Sequence, residues 1–116
     1  MKVLVCGDRN WTWRALMEEH MGKLPKGTTI VHGGARGADT LAGEIGRGLG
    51  FEVIVVSAQW EAFGRAAGPI RNREMLNLNP DKVLAFHDDL EKSKGTKDCV
   101  TEARRRGIPV EVIGHA

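Results

Sequence analysis

The 116-residue sequence predicts a single three-layer α/β domain, residues 1–116, with a five-stranded, mostly parallel sheet. Three observations predict it. Short Val- and Ile-rich runs alternate with segments whose apolar residues recur at helical spacing, β then α five times over, the final helix missing. Of the 15 glycines, Gly27, Gly50 and Gly107 fall just after helices and Gly7, Gly33, Gly34, Gly37 and Gly95 just after strands. The composition, 41% hydrophobic and 28% charged, is that of an ordinary globular chain. A chain of this length buries roughly two-thirds of its unfolded surface, enough for one core without staples.

Lys2 to Cys6 reads as the first strand, closed by the turn signal Gly7-Asp8-Arg9-Asn10. Trp13, Leu16, Met17, His20, Met21 and Leu24 then share one helical face, with Thr12 as the expected N-cap, His20 facing the core, and Pro25 and Gly27 closing the segment. Thr28 to Val31 is the second strand. It breaks at His32-Gly33-Gly34-Ala35-Arg36-Gly37, after which Ala38, Leu41, Ala42, Ile45 and Leu49 line a second helix ending at Gly50. Phe51 to Val56 is nearly continuous in apolar residues, as a strand buried on both faces would be. Ser57 to Gly68 is polar and glycine-bearing. Pro69 suits the first turn of a helix running to about Leu78. Lys82 to Phe86 is the fourth strand and His87 to Gly95 a charged loop. Thr96 to Arg106 is the last helix, with Cys99, Val100 and Ala103 inward and Arg104-Arg105-Arg106 as a solvated final turn. Gly107 ends it, and Val110 to Ile113 is the fifth strand.

In a parallel sheet all strand C-termini share one edge, where open α/β sheets bind ligands. Gly7, Gly33, Gly34, Gly37 and Gly95 follow strands and therefore converge there. His32 to Asp39 is the strongest local feature: Gly33, Gly34 and Gly37 let the backbone approach an anion, and the helix behind them offers free N–H groups. Asp39 is alternatively a first-turn capping acid. Arg71 and Asn72 fall in the expected first turn of the third helix, where the dipole disfavours a cation. An anionic ligand, or a surface pair with Glu74, accounts for Arg71 there. Gly95-Thr96-Lys97-Asp98 reads either as a second anion cradle with a carboxylate beside it or as a plain cap. Arg9 and Arg36 are candidate phosphate contacts, and Trp11 and Trp60 candidate stacking surfaces.

The net charge of +2 excludes a polybasic nucleic-acid binder, and three Trp, three Phe and no Tyr leave few platforms for single strands. The four histidines and two cysteines show no metal-ligand spacing, so neither metal nor cofactor is expected. Two cysteines make no disulfide framework, and Cys6 has no neighbouring base to activate it. With no apolar run near the roughly 20 residues of a membrane span and no signal-peptide pattern, a cytoplasmic protein without membrane contact is expected. Trp60 and Phe63 in the segment before Gly68 predict a homo-oligomer.

Gly7-Asp8-Arg9-Asn10-Trp11, Gly33 to Asp39, Trp60-Glu61, Ala67 to Met75 and Gly95-Thr96, in this order, resemble the YpsA/YspA-like branch of the SLOG superfamily, which also includes the LOG enzymes and DprA. The resemblance covers essentially the whole chain. It implies a Rossmann-like fold and a pocket for a nucleotide or nucleotide-derived ligand. LOG enzymes cleave the base–ribose bond of a nucleoside monophosphate with a Gly-Thr motif, a following glutamate and an Arg-bearing helix. Here Gly95 and Thr96 match, Asp98 stands in the glutamate's place, and Glu91-Lys92-Ser93-Lys94 replaces the preceding proline and glycines. The resemblance therefore implies binding first, with phosphoribohydrolase chemistry by Glu74 or Asp98 as the alternative and DprA-like single-stranded DNA binding as a weaker one.

Overall fold

The computed structural model describes residues 1–115. Five strands, β1 (Lys2–Gly7), β2 (Thr29–His32), β3 (Glu52–Val55), β4 (Lys82–Phe86) and β5 (Val110–Ile113), form one sheet in the order β3-β2-β1-β4-β5. Every pairing is parallel. The helices are α1 (Arg14–Met21), α2 (Ala38–Gly48), α3 (Trp60–Phe63), α4 (Ala67–Leu76) and α5 (Gly95–Arg105).

Alternation along the strands makes two cores. Val3, Val5, Leu84 and Phe86 point to one face and meet Met17 and Met21 of α1 and Ala38, Ala42 and Ile45 of α2. Leu4, Cys6, Val83 and Ala85 point to the other and meet Met75 and Leu76 of α4 and Cys99, Val100 and Ala103 of α5. The chain thus has the Rossmann-like three-layer arrangement, and its strand order reverses direction at β1. Loops after β1 and β4 separate there and leave a crevice.

Some local expectations change. Thr12 does not cap α1: Trp13 precedes that helix without a side-chain cap bond, and only the carbonyl of Thr12 is engaged, by the Arg14 N–H. Ser93, not Thr96, provides the hydroxyl at the start of α5, its Oγ accepting from the Thr96 N–H at 3.0 Å, while Thr96 sits inside the first turn. The third strand is not buried on both faces: β3 pairs only with β2, and Glu52 and Val55 are exposed. His20 is half-buried, its ring edge-on to Phe86 and its Nδ1 3.6 Å from Glu111. The arginine run is not simply solvated: Arg105 bonds Glu102 at 2.7 Å and Arg106 bonds Asn77 at 2.8 Å.

Candidate functional site

The crevice holds two adjoining cavities of about 410 and 1030 Å³. Arg9, Ala35, Arg71, Lys94 and Gly95 line both, so they are lobes of one cleft meeting at a cationic neck. The inner lobe reaches Cys6, Gly7, Asp39 and Thr96; the outer one runs past Gly33, Gly34 and Arg36 to Trp60 and Arg65. Arg9, Arg36, Arg65, Arg71, Lys92 and Lys94 outnumber Asp8, Asp39 and Asp98 along the cleft, a net positive lining that favours an anion.

Arg71 is placed by its partners. Its Nη1 donates to the Gly33 carbonyl at 2.7 Å and its Nε to Asn72 Oδ1 at 3.1 Å. A Cβ on Gly33 would lie 2.7 Å from the guanidinium carbon, so glycine is what admits the arginine. Asn72, 3% exposed, completes the link: its Nδ2 donates to the Gly95 carbonyl at 3.1 Å and to Asp98 Oδ2 at 2.9 Å. One amide therefore ties the loop after β2, through Arg71, to the first turn of α5. Because α4 begins at Ala67, Arg71 and Asn72 lie in its second turn, where the dipole penalty expected for Arg71 has faded. Arg71 does not pair with Glu74 among the described residues, and Glu74 is exposed and lines neither lobe.

The glycine loop differs from the expected phosphate cradle. Asp39 Oδ2 accepts from the N–H groups of Gly33 at 3.1 Å and Ala35 at 3.2 Å, and His32 Nδ1 accepts from Gly34 at 3.0 Å. The first N–H groups of the loop are thus occupied by the protein's own side chains. Gly37 lines neither lobe. Its φ of +75° and a Cβ position 2.5 Å from the Asp8 carbonyl oxygen make it the point where the loop crosses the chain after β1. The cationic side chains Arg9, Arg71 and Lys94 stand at the neck between the two lobes.

Burial pushes the Asp39 carboxyl up to about 6, against the opposing pull of the Ala35 N–H, Arg71 and the Gly33 N–H. Burial, helped by Arg47, pushes His32 down. A hydrogen bond with Cys99, together with burial, holds the Cys6 thiol well above its ordinary range, which keeps it protonated and unreactive. The structure thus brings Cys6 and Cys99 together across the β1–α5 contact, and both are free and buried.

Trp11 is the other residue the fold removes. It is 4% exposed, tilted against Phe86 with centroids 5.8 Å apart, and its Nε1 donates to the Trp13 carbonyl at 3.1 Å. Trp60, 55% exposed, stays free on the outer lobe's wall. Asp98 lines that lobe too, with its carboxylate held by Asn72. Arg65, Lys92 and Lys94 were not singled out from sequence. The signal was available for the lysines, since the loop after β4 must open onto the ligand edge.

A model of the YspA, cpYpsA-related SLOG family matches residues 1–63, which hold β1, the glycine loop, β3 and the start of the outer wall. Over a 123-residue alignment the chain is 42% identical to the Gene 61 protein of Mycobacterium phage D29, covering 97% of this chain and 96% of that relative. That alignment spans the later part of the chain, which holds Arg71, Asn72 and Gly95 among the cleft residues beyond the family match. A five-stranded parallel sheet, a glycine loop clasped by Asp39 and a sequence matched over more than half its length agree: the chain belongs to the YspA, cpYpsA-related SLOG family.

Proposed function

We propose that the chain binds an anionic, nucleotide-derived ligand in the cleft at the C-terminal edge of its sheet. Family membership supports a nucleotide-related function. The observation that carries the finer reading is the neck: Arg9, Arg71 and Lys94 border both lobes, so an anion held between them leaves one arm in each. Trp60 on the outer wall offers an aromatic face for a base. Adding ligand stabilises the native state by RT ln(1 + [L]/Kd), about 2.7 kcal/mol at a hundredfold excess over Kd. A thermal-melt panel of mono-, di- and cyclic nucleotides and ADP-ribose is expected to contain at least one stabilising ligand. A flat panel contradicts the reading.

Phosphoribohydrolase activity is the second reading, and Asp98 is what favours it: a carboxylate positioned by Asn72 on the outer lobe. Free base released from a nucleoside monophosphate, and slowed at least about a hundredfold by Asp98→Asn, establishes it. We also propose that the protein forms a homo-oligomer through the α3 segment, which buries none of its residues and exposes Phe63. Light scattering that shows only a 12.7 kDa species at tens of micromolar contradicts this.

A further inference from the structure

Asp39 is a carboxylate inside a cleft built for anions. It is 6% exposed. Only its Oδ2 is engaged, by the N–H groups of Gly33 and Ala35; Oδ1 takes no hydrogen bond among the described residues, and Asp39 lines the inner lobe. An anion that reaches from the neck into the inner lobe therefore meets a second negative charge whose solvation is already poor. The repulsion has a simple release, because a proton on Oδ1 neutralises the carboxyl and leaves Oδ2 to hold the loop.

We infer that Asp39 couples ligand binding in this cleft to proton uptake: an anionic ligand entering the inner lobe binds together with a proton taken from solvent onto Asp39, so its affinity rises as the pH falls. This rests on the anion-binding reading above and adds what that reading does not contain, a proton in the binding equilibrium.

The groups around Asp39 set the range. Cys6 from β1 is neutral, and Asp8 in the following loop adds negative charge while Arg9 opposes it. His32 from β2 turns its Nδ1 to Gly34, and Arg71 from α4 lowers the carboxyl without overcoming burial. With the free carboxyl near 6, uptake falls close to neutral pH, where a carboxyl of ordinary acidity gives none. His87, whose Nδ1 accepts from the Asp89 N–H at 2.9 Å, and Lys94 line the same cavity, so a His87 variant serves as the control. If the ligand raises the proton affinity of Asp39 about tenfold, binding is about fourfold tighter at about pH 6 than at about pH 7.5.

The test is calorimetric titration of ADP-ribose into the wild type, Asp39→Asn and His87→Gln, in buffers of differing ionisation enthalpy. The pyrophosphate diester of this probe keeps its charge across the range, so the probe contributes no phosphate titration. The wild type is expected to take up a fraction of a proton near neutrality and to bind several-fold tighter at the acid end. Both effects should vanish in Asp39→Asn and persist in His87→Gln. Binding without proton uptake, or uptake that survives Asp39→Asn, overturns the inference and leaves anion binding intact. No binding of ADP-ribose by the wild type at any pH overturns this inference, and together with a flat thermal-melt panel it overturns the anion-binding reading too. Should Asp39→Asn fail to fold, the side-chain carboxyl resonance of Asp39 in the wild type decides: its titration midpoint must rise when ADP-ribose saturates the protein, and a midpoint that stays put overturns the inference.

Discussion

Arg71 shows how far a single residue can be read from sequence. Its place at the sheet edge was legible, but its contact was not. Helical spacing offered Glu74 as its partner, and only the fold reveals that the guanidinium reaches the Gly33 carbonyl instead. The consequences differ. Arg71→Ala should weaken binding of a phosphate-bearing ligand by about 1.5–3 kcal/mol, the range for a hydrogen bond to a charged group. It should also lower folding stability by about 1 kcal/mol by stripping Gly33 of its partner, measurable by denaturant melts. Loss of a surface pair with Glu74 would have cost only tenths of that. Asp39 makes a second residue-scale prediction. Burial raises its folded pKa from the ordinary 3.8 to about 6, so its contribution to stability is fully present at acid pH and is lost as the pH rises through that interval. Relative to Asp39→Asn, the ligand-free wild type should lose up to about 3 kcal/mol across it. Parallel urea melts of the two proteins from pH 4 to pH 7 that run at constant separation contradict this account of Asp39.

Among the elements, the strands and long helices were legible because their periodicity is strong, and their ends moved where neighbours decide. β1 gains Gly7 because its register with Phe86 continues to the crevice. β3 looked buried because its residues are apolar, yet edge position is a property of strand order, which no local pattern carries. The segment before α4 hid a short helix, since α3 buries nothing and so leaves no apolar stripe. The α4–α5 junction is held by Asn72, while Glu102, drawn down to about 2 by the Arg105 hydrogen bond, anchors Arg105 and lies near Arg73 and Arg106. Asn72→Ala removes three side-chain hydrogen bonds from a buried amide and leaves the Arg71 Nε without that partner. We expect about 2–3 kcal/mol of destabilisation. Hydrogen exchange should show faster exchange in the first turn of α5 than at its C-terminus, and unaltered exchange at that first turn contradicts the role given to Asn72.

For the whole molecule, the sheet edge on which the site lies followed from β-α alternation alone. Convergence of the strand-end glycines was correct in direction. It could not disclose that Asp39 and His32 already occupy the N–H groups of Gly33, Gly34 and Ala35. Trp11 was misplaced for a related reason: an aromatic just after a strand can turn outward to a ligand or inward to the core, and Phe86 receives it. Among the described residues no helix is long and apolar enough to cross a membrane. The central claim is that one anionic ligand sits at the neck where the two lobes meet. The most direct measurement is a two-dimensional NMR titration of the isotope-labelled protein with ADP-ribose. The account predicts saturable shifts at the backbone amides of Arg9, Gly33 to Arg36 and Gly95, joined by the Trp60 indole. Saturable shifts confined to residues outside the cleft, or no shifts at millimolar ligand, contradict it.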